Sequence, residues 1–217
     1  MPRLNQWPSR WYVLAMPPKV PAKQLRGAAA RKAVLDAAGA AFLADGFRGA
    51  SIESIAAAAG VSRPTVYAHF ADKEEVFRTI VAALHDDQLS AMRTAAEREG
   101  PIAEKLYDVL LARFAPFVAL TSSSEHGGEL LDENSRVCGD IATAARRHSA
   151  KLVEQVLEDA SRQGELDLDR AGLTAAQAAG VVFDAALGAK ENATVTPGAY
   201  RRKLRRLVNV LLHGLAR

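Results

Sequence analysis

Apolar residues along this chain recur every three or four positions, and alternation over the length of a strand is scarce, so the pattern predicts helices throughout. The stretch "RGAAARKAVLDAAGAAFLADG", residues 26–46, sets Leu35, Ala38 and Phe42 on one face and ends at Gly46, a residue suited to the left-handed backbone that closes a helix. A second helix opens at Ser51, a good N-cap, and aligns Ile52, Ile55, Ala56 and Ala59 at i, i+3, i+4 and i+7. It has barely two turns before Gly60 breaks it with a positive φ at no steric cost. Val61 then turns inward and Ser62 caps a new helix, with Pro64 in a first turn where its missing N–H has no partner to lose. Two helices joined in about three residues form the connection of a helix-turn-helix.

In the helix after Ser62, inward Val66 and Phe70 leave Pro64, Thr65 and Ala68 outside, Tyr67 on a flank and Arg63 at the N-terminal end. A small, polar and basic outer face suits the major groove of DNA, which is about 12 Å wide and admits one helix. Asp72 and Glu75 form a capping-box-like start to a longer helix from Lys73 to about Glu97. Further helices are predicted over 101–120, once or twice within 129–163 closed by Gly164, and over 173–191 and 198–215. The fold class is all-α: residues 27–77 are expected to form an N-terminal three-helix helix-turn-helix domain, and 78–217 a second helical domain, for which the resemblance described below implies ligand binding and dimerisation.

The helix over 173–191 is apolar nearly all round its middle, unlike a monomer's surface helix. Tyr200, Leu204, Leu207, Val208, Leu211 and Leu215 make one stripe on its successor. Together these two helices predict a four-helix bundle shared by two chains, with Phe183, Leu187, Leu204, Leu207, Val208 and Leu211 at the dimer interface. Arg201, Arg202, Lys203, Arg205 and Arg206 are read as its solvated face and rim.

Charge narrows the picture further. Residues 1–78 carry 11 Lys/Arg against 6 Asp/Glu, net +5, while the remainder carries 17 against 19, net −2. That asymmetry is expected of a phosphate-binding module on a neutral body. Residues 1–26 read as a flexible basic leader, in which Met16 is an alternative start. Lys19, Lys23, Arg26, Arg31 and Lys32 add nonspecific attraction to the DNA backbone, or are simply solvated. The single cysteine, Cys138, permits no intrachain disulfide and fits a reducing cytoplasm. Apolar runs fall short of the roughly 20 residues of a membrane span, and the composition implies no membrane partner and no cofactor.

The linked elements "S-I-x-x-I-A", "A-G-V-S", "V-Y-x-H-F" and "D-K-E-x-V-F" within residues 46–77, after a glycine-aromatic opening, resemble the DNA-binding domain of the tetracycline-repressor (TetR) family of bacterial transcriptional regulators. The match covers roughly residues 27–77. The resemblance implies a regulator that binds palindromic, double-stranded operator DNA as a homodimer and is released by a small-molecule effector. It also implies that Tyr67, His69 and Lys73 contact phosphates, that Ser51 caps its helix and touches the backbone, and that Arg63, Pro64 and Thr65 face base edges. Ser62, the cap of the reading helix, completes the DNA-facing set. Arg can bridge guanine O6 and N7, Thr can touch a thymine methyl, and Pro offers apolar contact.

Candidate effector contacts are residues awkward in a plain core: Tyr107, Phe114 and Phe117 on one helix, His148 on the stripe Ile141, Ala145, Leu152 and Val156, and Phe183 with Asp184 in an apolar segment. Simple packing is the leading reading for the three aromatic residues, and structural pairing for His148 and Asp184, since a buried ionisable group needs a partner. Signatures of zinc proteases, P-loops, nucleophile elbows and dinucleotide folds are missing, so no enzyme is expected. "SSSEHGGE", with Glu125, His126 and Glu129, reads as a loop between helices rather than a metal site.

Overall fold

The computed structural model describes residues 27–190 and 196–215; the basic leader lies outside them. The described residues form nine helices and no strand. In chain order they are α1 (Ala28–Gly49), α2 (Ile52–Ala59), α3 (Arg63–Tyr67), α4 (Lys73–Ala96), α5 (Ile102–Ser122), α6 (Gly127–Val137), α7 (Gly139–Arg162), α8 (Ala175–Gly188) and α9 (Pro197–Leu215). The all-α expectation holds. The region 129–163 resolves into two helices, α6 and α7, broken at Cys138.

Packing divides the chain into two compact units. Of the described residues, one unit comprises those up to Ala82 together with Ser124–Cys138; the other comprises Ala83–Ser123 and those from Gly139 onward. Helix α4 starts in the first unit and ends in the second, and the chain re-enters the first unit for α6.

In the first unit α1 packs against α2, α3 and α6. Its buried stripe is Ala30, Val34, Ala38 and Phe42. Val34 takes the place expected for Leu35, which is only half-buried, because the i, i+4 row rather than i, i+3 faces the partners. The rings of Phe42, Phe47 and Phe77 meet with centroids 5.2–5.5 Å apart, and such pairs contribute about 0.5–1.5 kcal/mol each beyond the area they bury. The second unit buries one apolar core contributed by α4, α5, α7, α8 and α9; α5 packs on α7, α8 and α9, and α7 on α8.

Among the described residues no helix is long and apolar enough to cross a membrane, and no His, Cys, Asp and Glu group could hold a metal ion.

Candidate nucleic-acid interface

The reader is built from local capping. Ser51 accepts the Ser54 N–H at 3.0 Å, and the Ser54 hydroxyl accepts the Ser51 N–H at 3.0 Å, a reciprocal box that starts α2. The expected inward set Ile52, Ile55, Ala56 and Ala59 is buried. At Gly60 the backbone is left-handed, φ 67 and ψ 31, which ends α2 within one residue. Ser62 accepts the Thr65 N–H at 3.3 Å, and its hydroxyl lies 2.8 Å from Thr65 Oγ1, so α3 begins two residues after the turn.

Val66 and Phe70 are buried and anchor α3, whereas Arg63, Pro64, Tyr67 and Ala68 are exposed and Thr65 is half-buried. Tyr67 is 48% exposed, a large aromatic ring left outside a unit that has aromatic partners to offer. Arg63 reaches back to Glu53 at 2.7 Å and lies 5.9 Å above the Tyr67 ring. The Tyr67 hydroxyl, then Glu53, holds its guanidinium above the usual range. His69 is half-buried at the helix end.

Lys73 is less free than the sequence suggests. Its ammonium donates to the carbonyls of Phe47 at 2.6 Å and Ala50 at 2.8 Å, and sits 4.5 Å from the Phe47 ring centre. It fastens α4 to the junction between α1 and α2, leaving one of its three N–H groups for an outside acceptor. Asp72 accepts the Glu75 N–H at 2.8 Å while Glu75 accepts from Ala71 at 2.5 Å, the expected capping pair shifted back by one residue on its return bond.

Helix α6 locks the far end of this unit. Glu129 accepts the Arg48 N–H at 2.8 Å, Ser124 donates to the Leu43 carbonyl at 2.6 Å, and Arg136 bridges Glu133 at 2.7 Å and Glu74 at 2.6 Å. Glu129 thus serves as an anchor, with His126 Nδ1 3.5 Å away. Gly46 permits the close approach: its φ of 75 and ψ of 171 belong to a region that side chains avoid, and a Cβ there would overlap Glu129 Oε2 and sit 3.0 Å from His126 Nδ1. Gly46→Ala is expected to lower stability by about 2 kcal/mol, read as a drop in the denaturant midpoint. Glu129→Gln, which keeps an acceptor for Arg48, should lose much less.

The second unit corrects several sequence expectations. His148 is exposed and Ile141, Ala145 and Leu152 are half-buried; of the expected stripe only Val156 is buried, with Ser149, Val153, Leu157 and Ala160 beside it, so the helix is rotated by a fraction of a turn from the expected stripe. Asp184 is also exposed and pairs with Arg146. Neither is a buried ionisable group. Phe183 lies in the core against Phe114, centroids 5.1 Å apart. Leu204 and Val208 are fully buried in the same core, so these three cannot offer an outer surface. Leu187, Leu207 and Leu211 are half-buried, and Val181 and Val210 are exposed. Tyr107 is buried beneath Arg205, whose guanidinium is 3.6 Å from its ring centre, and Phe117 lies under Lys190 Nζ at 3.9 Å.

A buried polar group went unnoticed in the sequence. Gln88 accepts from the Arg113 guanidinium and lies 3.1 Å from His85 Nδ1. Burial, then the Arg113 charge, holds the His85 imidazole below its ordinary pKa of 6.5. The unfolded chain therefore takes up this proton first as pH falls, and the folded state loses stability from about pH 6.5 down to the lower folded value. His85→Asn, which keeps a donor for Gln88, should flatten that part of a melting-temperature profile. The signal was present in the sequence: Gln88 interrupts the helical row Val81, Leu84, Met92 and Ala95, and Arg113 interrupts "VLLARFAPFV".

A short exposed helix, rigidly capped and held against two others, with an aromatic ring, an arginine and a proline outermost, defines a helix-turn-helix protein that binds DNA and regulates transcription. Residues 34–80 match the family model described as bacterial regulatory proteins, tetR family. The HTH-type transcriptional repressor BepR of Brucella suis biovar 1 (strain 1330) is 30% identical over 161 residues, 68% of this chain and 73% of BepR. The HTH-type transcriptional activator FasR of Mycolicibacterium smegmatis is 26% identical over 157 residues, 72% of this chain and 70% of FasR. Among solved structures, SmeT, the repressor of a multidrug efflux pump of Stenotrophomonas maltophilia, in its triclosan complex superposes with a TM-score of 0.65 at 25% identity, covering 87% of this chain and 92% of SmeT. The chain belongs to the tetR family of bacterial regulatory proteins.

Proposed function

We propose that this chain is a repressor: a dimer places two copies of α3 in successive major grooves of an inverted-repeat operator, and a small molecule bound within the second unit releases it. The observation that carries the reading is the outward face of α3, where Arg63, Pro64 and Tyr67 stand clear of the core on a helix whose position is fixed by Val66 and Phe70. On DNA, Arg63 exchanges Glu53 for a guanine edge, and Pro64 and Thr65 meet bases. Tyr67, His69 and the spare N–H of Lys73 take phosphates, as do the capped N-termini at Ser51 and Ser62. Residues 27–77 act as the reader; of the expected effector and dimerisation part, 78–217, the stretches 78–82 and 124–138 pack with the first unit, and the remainder serves that role.

The dimer uses the outer face of α8 and α9: Val181, Leu187, Leu207, Val210 and Leu211. Helix α4, 24 residues long, spans about 36 Å at 1.5 Å per residue, and being continuous it carries a tilt from one end to the other. BepR and SmeT, both repressors, and the triclosan complex of SmeT support repression and effector release. Such a regulator works in the cytoplasm without turning over its effector. The test is gel retardation of duplexes selected from a random pool. Enriched inverted half-sites about one helical turn apart, or a multiple of it, are the expected result. Retardation without sequence preference would leave only an architectural role.

A further inference from the structure

We infer that the effector of this regulator is an organic anion, a carboxylate on an apolar body, bound by Arg113 together with Gln88. The inference rests on the effector-release reading and assigns its chemistry. Arg113 is 9% and Gln88 2% exposed, and no carboxylate among the described residues forms an ion pair with Arg113. Among the described residues its hydrogen bond goes to the neutral amide oxygen of Gln88. Arg113 Nε, Gln88 Nε2 and His85 Nε2 are buried with no hydrogen-bond partner among the described residues.

Two of these three atoms are obligate donors, so what completes them is an acceptor. Burying a guanidinium against a single neutral acceptor is costly, so the acceptor that recovers most is charged. Positive charge outweighs negative around the group: Arg113 and Lys190 disfavour protonation of His85, and the opposing effect of Asp86 is smaller. Burial lowers the Arg113 pKa only to about 10, so the cation persists at neutral pH. Leu84 lies one turn before Gln88, and Leu110 and Phe117 one turn either side of Arg113. Both polar side chains are therefore flanked by apolar ones, which calls for an apolar body behind the anionic head. A protein that needed Arg113 only for its fold would give it an acid, as Arg146 has Asp184 and Arg205 has Glu104.

The experiment uses the full chain and matched probes: benzoate, phenylacetate, hexanoate and octanoate, each beside its carboxamide of the same skeleton. Thermal unfolding and calorimetry measure binding, and retardation of the selected operator measures release. At least one carboxylate should bind and release the operator while its amide does neither. Arg113→Met should weaken that carboxylate about 10- to 100-fold, the value of a hydrogen bond to a charged group, without changing affinity for the operator in its absence. Should Arg113→Met fail to fold, Gln88→Met serves the same comparison. Amides binding as well as acids, unchanged affinity in the variant, or no carboxylate binding at millimolar concentration would overturn the anion assignment. Amides that release the operator would leave the effector reading intact. Carboxylates bound through Arg113 without release would instead overturn that reading and keep the site.

Discussion

Two substitutions in α8, two residues apart, should separate folding from assembly. Phe183→Glu should yield no folded protomer. The ring is 2% exposed and lies tilted against Phe114; its loss alone costs about 3–5 kcal/mol, and an unpaired buried carboxylate adds several more. That sum rivals the total of about 5–15 kcal/mol that holds a domain together. Val181→Glu, at a position 50% exposed, should leave the protomer within about 0.5 kcal/mol of wild type. In the proposed dimer, however, a two-fold axis sets two such carboxylates facing each other, beside Asp184 on the same helix. Like charges at an interface cost several kcal/mol; about 2–4 kcal/mol raises the dissociation constant roughly 30- to 900-fold. Light scattering at micromolar concentration should give the mass of one folded chain, and operator binding should fall with it. A Val181→Glu protein that keeps the mass of two chains would exclude this face as the interface.

The contrast shows what hydrophobic pattern conveys and what it does not. Short-range features were legible: Ser51 and Ser62 as caps, Gly60 as a left-handed stop, and Ile52, Ile55, Ala56 and Ala59 as one inward face, because each depends on residues within a turn of itself. Which side of an all-apolar helix faces its own core is a long-range matter. The pattern of α8 and α9 marked a surplus of apolar surface but could not tell Phe183, Leu204 and Val208, claimed by the protomer, from Val181 and Val210, left over. The expected burial of His148 and Asp184 misled for the same reason, although Asp184 does pair with a side chain, Arg146: a polar residue on a nominal stripe is buried only if the helix is turned that way. Arg113 and Gln88, on rows that are buried, were legible in principle as polar breaks in long apolar runs. The recruitment of α6 to the first unit through Glu129 and Arg136 left no local signal at all, since their partners lie 81 residues away at Arg48 and 62 away at Glu74.

Lys73 and Tyr67, which family resemblance assigns to the same task, should behave differently when changed. Lys73→Met removes two short hydrogen bonds to the Phe47 and Ala50 carbonyls. The ammonium is only half-buried, so water repairs part of the loss, and a cost of about 2 kcal/mol follows from bonds to a charged donor. The methionine keeps the apolar stem against Phe47 but loses the cation over its ring, worth about 0.5–1 kcal/mol at an exposed site. The melting temperature should fall, and operator affinity should fall both from the lost phosphate contact and from a loosened α1–α2 junction. Tyr67→Phe removes one exposed hydroxyl whose partner within the protein is the already paired Arg63, so the melting temperature should hold. Operator affinity should nevertheless drop, by a similar factor for preferred and random duplexes, since a phosphate contact positions without specifying. Unlike a charge reversal it should leave the salt slope of binding unchanged, because no cation is lost and no counterion is retained. Lys73→Met should make that slope shallower by about one unit. Equal melting temperatures for the two variants would show the carbonyl clamp to be idle; undiminished affinity in Tyr67→Phe would remove the tyrosine from the DNA-facing set.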